Sequence, residues 1–110
     1  MTTDFRNISA RQLHTWLNTD PESVFLLDVR QPGEFDLARI EGSTLIPLGT
    51  LHAALDEVPQ DRRVVAICHH GVRSAMACQI LAQRGQGRLY NLAGGIDAWS
   101  IEVDAGVPRY

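Results

Sequence analysis

The sequence predicts a small α/β domain, a mostly parallel sheet of about five strands with helices on both faces. Three observations carry that expectation. Val24 to Leu27 and Val64 to Cys68 are unbroken apolar runs of strand length, the pattern of strands covered on both sides. They alternate with stretches whose apolar residues recur at helical spacing, and strand–helix–strand alternation implies right-handed crossovers in a parallel sheet. Pro32-Gly33, Gly42, Pro47, Pro59, Gly71, Gly85 and Gly94-Gly95 punctuate the chain at short intervals, leaving room only for short elements. At 110 residues a second core does not fit, so residues 1–110 are expected to form one domain.

The elements follow in order. Ser9 with Gln12 reads as a capping box opening a helix that turns Leu13, Trp16 and Leu17 inward and ends at Asn18-Thr19-Asp20-Pro21. Val24 to Val29 is a strand, Glu34 to Ala38 one or two helical turns, and Thr44 to Ile46 a short strand before Pro47. Leu51, Leu55 and Val58 suggest an amphipathic helix over Leu48 to Val58. Val64 to Cys68 is the next strand. Ser74 to Arg84 is a helix with Met76, Ala77, Ile80 and Leu81 inward. Arg88 to Leu92 is a last strand, and a brief helix around Ile96 to Trp99 follows Gly94-Gly95. Trp16 and Trp99 fall on apolar helical faces and are expected in the core.

Composition excludes several classes. Hydrophobic residues at 45% and charged residues at 21% are globular values, which argues against disorder, coiled coil or collagen. No apolar run approaches the ~20 residues of a membrane span. The start, Met1 to Arg6, shows no signal-peptide pattern. All ten basic residues are Arg, scattered rather than striped, and the net charge is -3, so neither nucleic acid nor membrane is expected as a partner. Two cysteines without a leader point to a reducing, cytoplasmic setting, not a disulfide scaffold.

Chemistry concentrates in Cys68-His69-His70-Gly71-Val72-Arg73-Ser74, which joins a strand's carboxyl end to a helix. Ligands of open α/β sheets sit at such ends. Backbone amides at a helix start lack intrahelical partners, and if they curl around the Cys68 sulfur they form an anion nest to which the helix dipole adds. Gly71 supplies the conformational freedom, and Arg73 with protonated His69 or His70 adds positive charge. All of these favour the thiolate, so the Cys68 pKa is expected to be depressed. Such a nest suits either a persulfide or a phosphoryl group. Only four residues separate Cys68 from Arg73, and so tight a ring fits one extra sulfur better than a tetrahedral phosphate.

These residues resemble the single-domain rhodanese family of sulfurtransferases, over about Ile8 to Pro108. The matching pieces are Leu27-Asp28-Val29-Arg30 with Glu34-Phe35, Ile40-Glu41-Gly42-Ser43 leading to Ile46-Pro47, the Cys68 to Ser74 loop, and Gly94-Gly95-Ile96-Asp97-Ala98-Trp99. Related cell-cycle phosphatases carry a loop one residue longer. The resemblance implies a ping-pong reaction: Cys68 takes a sulfane sulfur from a donor such as thiosulfate, and a thiol, cyanide or protein acceptor removes it. It implies no metal or organic cofactor. The amides from His69 to Ser74 would cradle the persulfide, and Arg73 would orient an anionic donor. The family's usual Gly, His and Asn are replaced by Ala38, Arg39 and Leu45, in a segment that reads as structural. A rhodanese-fold phosphatase and a non-catalytic regulatory or carrier module are the alternatives; modules of the latter kind typically lack the nucleophilic cysteine.

Other chemical residues read as scaffold. Asp28, Arg30 and Glu34 are expected to support the loop, with Arg30 and Glu34 as an ion pair. Cys78 lies well along the helix, too far for a disulfide to Cys68, and reads as packing with Ala75 and Ala82. His69 and His70 are adjacent on a tight turn, and His14 and His52 lie on other elements, which disfavours a metal site. The loop histidines are instead expected to tune donor charge around pH ~6.5.

Overall fold

A computed structural model of the chain describes residues 4–110. The leader reading falls partly on residues 1–3, outside the described residues. The strands are β1 (Arg6–Ile8), β2 (Val24–Asp28), β3 (Thr44–Leu45), β4 (Arg63–Ile67) and β5 (Leu89–Leu92). The helices are α1 (Ala10–Thr19), α2 (Pro32–Leu37), α3 (Val72–Gln83) and α4 (Gly95–Glu102). One parallel sheet of order β1-β5-β4-β2-β3 results, with β4 at its centre. No helix among the described residues is long and apolar enough to cross a membrane.

Period-two alternation in the central strands feeds two cores. Val65 and Ile67 face one side, where Leu13 of α1 and Ile96 and Trp99 of α4 complete a cluster. Val64, Ala66 and Cys68 face the other, against Leu51 and the α3 residues Ala77, Cys78 and Leu81. This is why β2 and β4 read as continuous apolar runs. Ser9 caps α1 by accepting the Gln12 amide at 3.1 Å.

Several local expectations are corrected. β1 escaped the sequence reading because only Ile8 of its three residues is buried. The helix expected over Leu48 to Val58 is two 3₁₀ segments, Leu48–Ala53 and Leu55–Glu57. Its first amide is tied to Val29 O at 3.0 Å, and i→i+3 bonds such as Thr50 N to Pro47 O and Ala54 N to Leu51 O then tighten the chain. Met76, expected inward, is 51% exposed, because α3 buries the stripe Ser74, Ala77, Cys78 and Leu81. Trp99 is core, whereas Trp16 is half-buried between Arg63 and Tyr90.

Candidate active site

Cys68 leaves the central strand at the sheet's carboxyl edge and the chain turns at once into α3. The turn depends on two glycines. Gly71 caps α3 at φ +105, and a Cβ there would meet Ala93 O at 2.2 Å. Gly95 opens α4 at φ +64, and its Cβ would stand 2.1 Å from His69 O. Only glycine permits both the left-handed conformations and these approaches. The first turn of α4 then takes the loop's carbonyls: Ile96 N donates to Cys68 O at 2.9 Å and Asp97 N to His69 O at 3.2 Å. With its carbonyls drawn to α4, the loop presents its amides to the sulfur. Gly94-Gly95 is thus more than the turn it reads as in sequence.

The Gly71 amide donates to Cys68 Sγ at 3.0 Å, and Ser74 Oγ lies 3.3 Å from it. Burial pushes the thiol's pKa up. Hydrogen bonds from the Ser74 hydroxyl and from the amides of Ser74, Gly71 and His70 outweigh burial, and the net shift is downward. Cys78, also free and buried, has no such partners, and burial alone pushes it up to about 12.

The structure keeps the expected loop residues together around Cys68 but pairs two of the expected supporting residues, Arg30 and Glu34, differently. Arg30 and Glu34 form no side-chain ion pair. Residue 30 precedes the helix that starts at Pro32, so the two positions do not share a helical face. Arg30 is fully buried and pairs with equally buried Asp28, through Nε to Oδ1 at 2.9 Å and Nη2 to Oδ2 at 2.7 Å. Its remaining donors reach Ala38 O at 2.5 Å, Glu34 O at 3.3 Å and the Tyr110 hydroxyl at 2.8 Å. The Glu34 carboxylate instead receives both outer nitrogens of Arg73, at 2.7 and 2.9 Å. That bidentate bond holds the Glu34 pKa down at about 2. Arg73, in the first turn of α3, is therefore a half-buried charge matched by Glu34 in the first turn of α2, not a free cation.

Val72 is 71% exposed beside the loop. His69 and His70 stack at 4.0 Å, and Tyr110 covers the other face of His69 at 4.0 Å. Burial and the neighbouring His70 lower the His69 pKa. Among the described residues no group of three or more His, Cys, Asp or Glu could hold a metal ion. Sequence reasoning missed Tyr110, whose hydroxyl also donates to Glu34 Oε1 at 2.9 Å, and Asn91, which accepts from Ser74. Neither has a local signal, because each meets the site only through the fold.

The profile of the rhodanese-like domain matches residues 9–102. The chain is 42% identical over 81 residues to a sulfurtransferase of Allochromatium vinosum, spanning 74% of this chain and 76% of that one. It is 32% identical over 95 residues to the thiosulfate sulfurtransferase GlpE of Shewanella oneidensis, spanning 86% and 92%. The crystal structure of a rhodanese-like domain protein from Staphylococcus aureus superposes with a TM-score of 0.81 at 28% identity, covering 96% of this chain and 98% of that one. A five-stranded parallel sheet whose central strand delivers a cysteine into a ring of amides, together with these matches, places the chain in the rhodanese-like domain family.

Proposed function

We propose that the chain acts as one rhodanese-like domain and is a sulfurtransferase that carries a sulfane sulfur as a persulfide on Cys68. The observation behind this is the buried sulfur itself, with the Gly71 amide at 3.0 Å and the Ser74 hydroxyl at 3.3 Å. These groups stabilise negative charge on sulfur, the state needed to attack a donor and to leave when an acceptor takes the sulfur away. In the first half-reaction the thiolate bonds to the outer sulfur of a donor such as thiosulfate, and sulfite departs with the electron pair. In the second, a thiolate on a small molecule or protein, or cyanide, attacks the terminal sulfur and Cys68 is released. The relatives named as sulfurtransferases support the reaction class, and free thiols suit a cytoplasmic setting.

The test is intact-protein mass spectrometry after incubation with thiosulfate. The expected result is a gain of one sulfur atom that disappears in Cys68→Ser. Absence of the adduct with hydrolysis of an aryl phosphate would replace this reading by a phosphatase, and absence of both by a non-catalytic module.

A further inference from the structure

Once Cys68 is a thiolate, the hydrogen bonds around the sulfur contain one proton too few. Ser74 is fully buried, and its hydroxyl lies between two acceptors, Cys68 Sγ at 3.3 Å and Asn91 Oδ1. A hydroxyl has one proton to give. Asn91 cannot resolve the conflict by turning its amide over. Its Nδ2 donates to the Gly71 carbonyl at 3.1 Å, and a flip would set two oxygens face to face. The sheet fixes the rest: Asn91 on β5 is paired in register with Ala66, two residues before Cys68, so both side chains leave the same face of the sheet. Asn91 is 4% exposed.

Building on the reading of Cys68 as the nucleophile, we propose that Asn91 is a positioning residue acting through Ser74: its Oδ1 accepts the Ser74 hydroxyl's hydrogen bond while Cys68 Sγ is uncharged and loses that bond to Sγ when the sulfur carries charge. In the thiol state Cys68 S–H donates to Ser74 Oγ, and Ser74 donates to Asn91. When the thiol loses its proton to solvent and the thiolate forms, the hydroxyl rotates and donates to sulfur. Attack on the donor forms the new S–S bond, the donor's own bond to that sulfur breaks, and its residue leaves with the electron pair. The negative charge then sits on the terminal sulfur, Sγ becomes a neutral bridging atom, and the hydroxyl returns to Asn91. When the acceptor attacks the terminal sulfur, Sγ recovers the electron pair and the hydroxyl rotates again. No proton is transferred to or from Ser74 at any step; only its direction changes. Asn91 therefore competes with the sulfur for this donor and restrains the thiolate.

The charged and titratable groups nearby are Arg73 and Cys78 on α3, His69 and His70 in the loop, and Glu34 on α2. Asp97 on α4, the Asp28–Arg30 pair at the end of β2, and Tyr110 complete the set. None of them is altered by the substitutions that test the proposal.

Alkylation of Cys68 is followed against pH in the unmodified chain, Asn91→Leu, Ser74→Ala and the double variant. In Asn91→Leu the midpoint is expected to fall by about one pH unit, the scale of one hydrogen bond to a charged group. In the Ser74→Ala background the same substitution is expected to give no downward shift. A midpoint that rises or stays in Asn91→Leu, or an equal shift in both backgrounds, overturns the proposal, since Asn91 would then act only through its Nδ2 bonds to the Gly71 carbonyl and to Asn7 Oδ1. A second measurement needs no variant. With ¹³C-asparagine, the Asn91 side-chain carbonyl resonance is expected to follow Cys68 ionisation and to return on sulfur loading; a resonance insensitive to both overturns the proposal. Alkylation reads ionisation before any sulfur is present, so the relay can fail while Cys68 still accepts sulfur, and the two readings fail separately.

Discussion

Replacing Gly95 with alanine tests whether the α4 turn shapes the sulfur nest. The new Cβ would stand 2.1 Å from His69 O, 2.4 Å from His69 C and 2.6 Å from His70 N, all main-chain atoms that cannot swing aside. Ordinary contact starts at 3.4 Å, so loop and helix must separate by roughly 1 Å. Holding alanine at φ +64 costs about 1 kcal/mol, and overpacking adds roughly 1–3 kcal/mol. The separation also stretches the bonds from Ile96 N to Cys68 O and from Asp97 N to His69 O, which keep the loop's carbonyls away from the sulfur. We expect a loss of about 3 kcal/mol, a fall of roughly 10 °C in Tm at about 4 °C per kcal/mol. Sulfur loading of Cys68 should fall at least tenfold at temperatures where the variant is folded. Gly87, with nothing within 4 Å of its Cβ position, provides the control, and its alanine variant should melt within a degree or two of the unmodified chain. Thermal denaturation by circular dichroism and a timed mass-spectrometric loading assay read the two effects. A Gly95→Ala chain that melts and loads like the Gly87→Ala chain would refute the claim that the nest is set by this approach.

Other perturbations separate scaffold from chemistry. Glu34→Gln removes the charge partner of Arg73; the folded carboxyl is held at about 2 against an ordinary 4.5, so its stabilisation is complete above 4.5 and is lost as pH falls toward 2. The difference in Tm between the two chains should therefore be a few degrees at pH 7, for a half-exposed pair worth about 1 kcal/mol, and should vanish near pH 2 in a series of melts. Arg30→Ala removes the guanidinium that pairs with a fully buried carboxylate, Asp28, which should cost about 3–5 kcal/mol in urea unfolding; a loss under ~1 kcal/mol would contradict the reading of this pair as a buried, matched ion pair. Cys78→Ala should lose about 1 kcal/mol and keep its rate of sulfur transfer, and a large kinetic defect would give that thiol a role that burial and a pKa of about 12 deny it.

What the sequence displays, and what it hides, follows sequence distance. The Cys68 to Ser74 loop is legible because its parts are consecutive: a strand end, a glycine, a helix start and the amides between them. β2 and β4 are legible because burial on both faces leaves unbroken apolar runs. The partnership of Glu34 with Arg73 spans 39 positions, and that of Tyr110 with Glu34 spans 76, so neither leaves a local pattern. Arg30 illustrates a different failure. The expected scaffold ion pair with Glu34 does not form, because the side chain turns inward before the helix begins and finds Asp28 two residues away. Asn91 read as an ordinary strand residue; only the register of β5 against β4 sets it beside Ser74. The 3₁₀ segments bury Leu51, and Val58 just after them, as an α-helix would, and so the apolar spacing could not tell the two apart.

The most direct test of the central claim, that this loop turns Cys68 into a thiolate able to carry sulfur, is the pH profile of alkylation resolved by peptide. The expected result is modification of the Cys68 peptide with a midpoint below that of an ordinary thiol, near 8.5, and no modification of the Cys78 peptide across the same range. A Cys68 midpoint at or above the ordinary value, or equal reactivity of the two cysteines, would contradict it.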